Sequence, residues 1–305
     1  MKIEIKKEVK YIVIAIVIIY LAVSAVVNAI KSDGNKAGTK GDVITVNSGE
    51  TQEYPLEVYF VDVGQGDGTV IKNGDVYIVI DGGEKISADA FTGTLKSLGV
   101  KEIDLYVASH PHSDHIGAAA AVFDEFDVKS VMTTTFSEFN IPTTKTYELF
   151  LTAVDNEDCD VIFAEPGDSY TFGDITLDIF APLKETNDYN NMSVVFKLTY
   201  GKTSFLFTGD AEKESEALML SKGYDLSADV LKLGHHGSST STSEGFFNAV
   251  SPSVAVISCG KNNNYGHPHR ETVALLEKSE IKYYRTDECG TVVICSDGKN
   301  IIVKE

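Results

Sequence analysis

Positive charge is what this 305-residue sequence has least of: 26 Lys and Arg stand against 45 Asp and Glu, a net charge of −19. So acidic a chain repels a phosphate backbone at long range, which disfavours non-specific nucleic-acid binding. Cysteine is sparse too. Cys159, Cys259, Cys289 and Cys295 lack Cys-x-x-Cys spacing, which argues against a thiolate zinc finger. Cys289 and Cys295 could pair outside the cell, but separate buried thiols are the simpler expectation. No repeat of fixed short period is present. Long apolar runs are absent but for one. Residues 11–30, YIVIAIVIIYLAVSAVVNAI, carry no charge and match the ~20 residues that cross a bilayer core.

That run defines an expected organisation. Lys2, Lys6, Lys7 and Lys10 make residues 1–10 a basic tail that stays in the cytoplasm. Residues 11–30 form one N-terminal transmembrane helix, either a signal anchor or a signal peptide cut near Val27-Asn28-Ala29. Its length favours an anchor. Residues 31–53, rich in Gly, Ser, Lys, Asn and Thr, read as a flexible linker, and 54–305 as the folded domain. The expected location is a single-pass protein of the cell membrane with its domain outside, or a secreted one if the segment is cleaved.

Within the domain, β-rich segments come first: 56–63, 69–72 and the run Val76 to Ile80, joined by an Asn73-Gly74 turn. A helix follows at 87–98, then strands and helices alternate to the end. Expected strands include 128–132, 161–163, 170–172, 175–180, 194–200, 203–208, 228–233, 253–258, 281–285, 291–295 and 300–304. Helices are expected at 143–158, up to Lys222 and at 269–279. This order predicts two packed β-sheets with helices outside, an α+β fold.

The chemistry gathers at strand ends. Histidine is scarce, seven in all, and the histidines cluster in three loops: 110–115, 235–236 and 267–269. Ser109-His110-Pro111-His112-Ser113-Asp114-His115 follows the apolar segment 103–108. Asp81-Gly82-Gly83 and Thr208-Gly209-Asp210 end two further strands. Neutral imidazoles and carboxylates are the donors that zinc and similar divalent ions take. A set without sulfur, large enough for two ions, differs from a closed structural zinc site.

His110-x-His112-x-Asp114-His115 resembles the signature of the metallo-β-lactamase superfamily. The resemblance implies a four-layered αββα sandwich, as in β-lactamases and ribonuclease Z, and a dinuclear metal site. It implies that His110 and His112 hold one ion, Asp114 and His115 the other, and that Asp210 bridges them. Asp81 then buttresses the histidine loop. The histidine of the family's third motif is missing; the sequence there reads Asn190-Asn191-Met192-Ser193. The same departure, with Phe60-Val61-Asp62-Val63-Gly64-Gln65-Gly66-Asp67, Gly234-His235-His236-Gly237-Ser238 and Gly266-His267-Pro268-His269, resembles the hydrolase domain of ComEC-type competence proteins. That likeness covers residues 56–304 but not the channel of those proteins, so DNA import does not follow from it. It implies His236 as the ligand replacing the missing histidine, with His235 behind it or as the alternative ligand, and His267 as a ligand of the second ion. Asp62, Asp67, Asp81, Asn191, Ser193, His235 and His269 are expected behind the ligands or against substrate, and Asp114, Asp210 and His236 at the reacting centre.

The expected activity is hydrolysis of phosphodiester bonds through a metal-bridging hydroxide, with zinc favoured and manganese the alternative. The substrate is a small or polymeric phosphodiester: nucleic acid, disfavoured by the acidic charge, or a phosphorylated cell-envelope polymer. The alternatives are a lactone, thioester or β-lactam hydrolase, and an anchored non-catalytic module with structural metals. Lys202, Lys232, Lys261, Arg270 and Arg285 are candidates for a local cationic patch. The topology has a direct check. Protease added to intact cells should remove the domain, and protection until lysis would rule out the outward-facing arrangement.

Overall fold

The computed structural model describes residues 43–46 and 54–304. The segments 1–10 and 11–30 lie outside the described residues, among which no helix is long and apolar enough to cross a membrane.

The first half of the chain supplies strands β1 (Val43–Val46), β2 (Leu56–Phe60), β3 (Gly68–Asn73), β4 (Val76–Asp81), β5 (Glu102–Ile103), β6 (Leu105–Val107), β7 (Asp127–Val128), β8 (Ser130–Thr133) and β9 (Asp160–Phe163). Helices α1 (Ala88–Ser97), α2 (Ser113–Ile116), α3 (Ala119–Glu125) and α4 (Lys145–Glu157) lie between them. The second half supplies β10 (Ser169–Phe172), β11 (Ile175–Ala181), β12 (Val195–Tyr200), β13 (Thr203–Phe207), β14 (Val230–Lys232), β15 (Val254–Ile257) and β16 (Lys282–Arg285). Its helices are α5 (Lys213–Lys222), α6 (Glu244–Val250), α7 (Arg270–Lys278) and α8 (Thr286–Cys289). The chain then returns to the first half as β17 (Val292–Ser296) and β18 (Ile301–Lys304).

Two large sheets result. One has nine strands in the order β1-β18-β17-β2-β3-β4-β6-β8-β9, the other seven in the order β10 to β16, and β5 pairs with β7 separately. The largest apolar cluster lies between the sheets, where Phe60 of one stacks on Phe207 of the other with ring centroids 6.1 Å apart. A second cluster packs α1, α3 and α4 on the outer face of the first sheet, through Phe91, Leu95, Val122 and Phe150. A third packs α5, α6 and α7 on the second, through Met219, Phe246, Phe247 and Leu276. Helix, sheet, sheet and helix make the four expected layers.

Two local features differ from the sequence reading. Val43–Val46, inside the expected linker, forms an edge strand parallel to β18, with Val43 opposite Ile301. A Val-Ile-Thr-Val run favours a strand over a Gly/Ser tether. All four cysteines are free, and Cys289 is exposed rather than buried.

The position of the site follows from strand direction. β4, β6 and β8 run parallel in the first sheet, and β13 to β16 run parallel in the second. Their carboxyl ends therefore lie on one edge of each sheet. The loops leaving those ends carry Asp81, the histidine run at 110–115, Asp210, the pair His235-His236, and His267.

Candidate metal centre

Asp210 is the point on which these loops converge. It is 2% exposed, and its backbone N–H donates to Ser193 Oγ at 3.0 Å. Three imidazole nitrogens face its Oδ2: His110 Nε2 at 3.8 Å, His235 Nε2 at 3.8 Å and His236 Nε2 at 3.5 Å. A fourth, His115 Nε2, stands 3.2 Å from Oδ1. Neither His115 Nε2 nor Asp210 Oδ1 has a well-formed hydrogen bond, although both are buried. Buried polar atoms are rarely left so unless something else satisfies them.

The histidine loop is tied down from behind. Asp81 adopts a left-handed backbone, with φ 56°. Its Oδ1 accepts from Ser109 N–H at 2.9 Å, and its Oδ2 accepts from Ser109 Oγ at 2.7 Å and lies 2.8 Å from His115 Nδ1. A carboxylate there holds the proton on Nδ1 and leaves Nε2 to point at Asp210. His110 Nε2 and His112 Nδ1 converge to 3.0 Å.

The sequence leaves open which of His235 and His236 is the ligand, and the distances bring both to Asp210. His236 is 1% exposed; its Nε2 lies 3.2 Å from Asp114 Oδ2, and its Nδ1 faces the Ser258 carbonyl at 3.1 Å. It therefore stands with Asp114 and His115, not with His110 and His112. His235 approaches Asp210 from its Oδ2 side, with Nδ1 3.1 Å from Glu212 Oε1. Both residues are left-handed, at φ 51° and 54°, a conformation that side chains other than glycine adopt at a cost of order 1–3 kcal/mol. Two successive left-handed residues turn adjacent side chains toward one centre, which an ordinary strand end would not do.

The other candidates fall around this centre. Asp67 has a carboxylate oxygen in a buried group with His115, Asp210 and His236. Lys232 Nζ, however, is 2.8 Å from each Asp67 oxygen, and Asp67 Oδ1 lies 3.8 Å from His236 Nδ1, behind the ring. His267 lies beside the pair His235 and His236. Its ring centroid is 5.4 Å from that of His235 and 6.0 Å from that of His236, and Gln65 Nε2 is 3.5 Å from its Nδ1. Asn191 Oδ1 accepts from Glu212 and Ser215 N–H, capping α5. His269 Nδ1 accepts from Ser239 N–H. Asp62 is exposed and accepts from Gly64 N–H in a turn. Three of the five cations named for a local patch are turned elsewhere. Lys232 is buried against Asp67, Arg285 pairs with Asp287 and Glu288, and Lys202 lies at the opposite end of β13 from Asp210.

Sequence reasoning passed over Gln65, Ser109, Glu212, Thr240 and Ser258. Gln65 and Ser109 stood inside quoted motifs without a role, and Glu212 lies two residues beyond Asp210.

The donors suit divalent ions. Ligand atoms about 2.1 Å from one ion stand about 3.0–3.5 Å apart, the spacing of His110 with His112, Asp114 with His236, and His115 with Asp210. Proton occupancy is polarised across the centre. Burial drives the His110 pKa well below that of an ordinary imidazole, and that of His112 lower too. Burial, with His236 and His235, takes His267 down to about 4. Burial also works against a charged His115 or His236, but Asp210 with Asp81, and Asp210 with Asp114, outweigh it and raise both. Asp114 and Asp210 sit below the usual carboxylate range because imidazolium partners overcome their burial.

A profile of the metallo-beta-lactamase superfamily matches residues 61–261. ComE operon protein 3 of Bacillus subtilis is 31% identical over 255 residues, which is 77% of this chain and 32% of the relative. Competence protein ComA of Neisseria gonorrhoeae is 31% identical over 236 residues, 76% of this chain and 31% of the relative. The chain thus spans about a third of the length of these relatives. Among solved structures, the metallo-beta-lactamase fold protein YhfI of B. subtilis aligns with a TM-score of 0.50 at 13% identity, covering 75% of this chain and 96% of that one. Igni18, a metallo hydrolase of Ignicoccus hospitalis, aligns at 0.52 and 17% identity, covering 78% and 98%. These structural likenesses show the fold.

Two tests follow from the geometry. A Cβ on Gly66, at φ 137°, would strike the Asp114 carbonyl oxygen, whereas one on Gly74, at φ 62°, meets nothing. Gly66→Ala should therefore weaken ion binding, measured by titration, while Gly74→Ala costs only backbone strain and leaves it intact. The second test concerns pH. Below about 6.5 the unfolded chain binds protons at His110, His112 and His267 that the folded chain refuses, so stability rises with pH. Above about 6.5 the folded chain keeps protons on His115 and His236 that the unfolded chain has released, so stability falls. Thermal midpoints in chelator should peak near about pH 6.5; a rise continuing to pH 9 would contradict the raised pair.

Proposed function

The chain belongs to the metallo-beta-lactamase superfamily, and from that premise we propose that it is a two-metal phosphodiesterase, held at a membrane by residues 11–30. The observation that carries the metal reading is the buried, unsatisfied pair His115 Nε2 and Asp210 Oδ1, ringed by further imidazoles. His110, His112, His235 and Asp210 would hold one divalent ion, and Asp114, His115, His236 and Asp210 the other. Four or more imidazoles with two carboxylates favour zinc, with manganese as the alternative. When bound, such a pair lowers the pKa of coordinated water and polarises the substrate oxygen.

The protein's own groups prepare the centre. Asp81 and the Ser258 carbonyl hold the Nδ1 protons of His115 and His236, so that Nε2 of each faces Asp210. Ser193 fixes the Asp210 backbone. Lys232 compensates the charge of Asp67 behind His236.

Charge supports an anionic substrate. Two divalent ions against the carboxylates of Asp114 and Asp210 leave roughly +2 at the centre. On a chain of net charge −19, that makes the centre an isolated attraction for a phosphate. Relatives named competence protein and recombination protein 2 agree with a nucleic-acid substrate. The acidic chain agrees better with a short phosphodiester; a phosphorylated cell-envelope polymer, also a candidate, meets the same long-range repulsion as nucleic acid.

Metal analysis of the purified protein should give about two ions per chain, from the two donor sets. His235→Ala and His236→Ala should each lose one ion and at least about 100-fold in turnover, and Asp210→Ala should weaken both ions. A chromogenic phosphodiester, a lactone and a β-lactam should be compared side by side. Turnover of the lactone or β-lactam alone would overturn the choice of bond. A fully loaded protein inert to all three would favour the non-catalytic module.

A further inference from the structure

We propose that Glu212 is a positioning residue that makes His235 a metal ligand, and that Asn190 and Thr240 hold the Glu212 carboxylate in place for it. This rests on the assignment of His235 to the first ion. Glu212 Oε1 lies 3.1 Å from His235 Nδ1. The same oxygen accepts from Thr240 Oγ1 at 2.8 Å and from Asn190 Nδ2 at 3.3 Å. A carboxylate against Nδ1 keeps the proton there, which leaves the Nε2 lone pair toward Asp210 Oδ2, 3.8 Å away.

The arrangement repeats what stands behind the other two imidazoles. His115 Nδ1 has Asp81, and His236 Nδ1 has the Ser258 carbonyl. His235 needs such a hold more than they do, because it is partly exposed while His115 and His236 are buried.

The competing structural role for Glu212 is already filled. It is the residue preceding α5, yet its side chain makes no capping hydrogen bond. Asn191 Oδ1 caps that helix, accepting from Glu212 N–H at 3.1 Å and Ser215 N–H at 3.2 Å. The Glu212 carboxylate is therefore committed to His235 and to the two donors that hold it. Asn190 and Asn191 divide the work of the segment where a ligand would have stood: one steadies the carboxylate, the other the helix that presents it.

The experiment is a titration of the metal-free full chain with zinc against a chromophoric chelator, together with the visible spectrum of the cobalt-substituted protein. Glu212→Ala should weaken one ion about 10–100-fold, leave the other within about twofold, and change the cobalt spectrum. Glu212→Gln keeps an acceptor for the Nδ1 proton and should recover most of the affinity. Wild-type affinity and spectrum in Glu212→Ala would overturn the proposal. So would equal loss of both ions, which marks a general structural defect, and so would failure of Glu212→Gln to recover any affinity. His235→Ala in the same titration separates the two levels of argument. If it retains both ions, the assignment of His235 falls; if it loses one ion while Glu212→Ala loses none, only the role of Glu212 falls.

Discussion

A carboxylate that is 2% exposed has to be compensated, and Asp210 is compensated by imidazoles from both halves of the molecule. His110 and His115 arrive from the first sheet, His235 and His236 from the second. An isolated buried charge of this kind is strongly disfavoured, so the two sheets can close over it only if all these loops are in place. The aromatic stack of Phe60, Phe207 and Phe196 between the sheets sets their separation. Asp210 follows Phe207 by three residues, so packing in the core and donor geometry at the edge are adjacent parts of one constraint.

The segment 64–67 extends that constraint. Asp67 N–H donates to the Asp114 carbonyl, and Gly66 packs against the same carbonyl with no room for a side chain. Gln65 accepts from Gly260 N–H and reaches His267, while Asp67 holds Lys232 behind His236. One short turn thus touches the loops that carry Asp114, His236 and His267. A glycine is required at 66 because the backbone there is both left-handed and crowded.

How much of this was legible in the sequence depends on whether the information was periodic or conformational. The layers were legible: apolar strands alternating with helices predict two sheets with helices outside, and the observed strand ends fall within a residue or two of most expected ones. The convergence of histidines was legible because each cluster follows an apolar strand, and parallel strands share a carboxyl edge. The sorting of His235 and His236 was not, because it depends on two left-handed residues that no pattern of polarity announces. Lys232 reads as a surface cation, but it ends a strand buried on both faces and its ammonium turns inward to Asp67. Val43–Val46 reads as tether because its neighbours are polar; its pairing with β18 lies across 258 residues of chain, beyond any local signal.

The placement of charge links the fold to its chemistry. Each carboxylate behind an imidazole could pull an ion out of position if it competed for it. Asp67 is prevented by Lys232, and Asp81 by two hydrogen bonds from Ser109 in addition to His115. Asp114 and Asp210 are left facing the donor imidazoles, with His236 between them. Had Lys232 been a neutral residue, Asp67 would be an uncompensated buried charge beside His236, favouring a proton or an ion on the wrong side of that ring. A buried cation in an otherwise acidic protein thus sets which face of His236 is free to act as a donor.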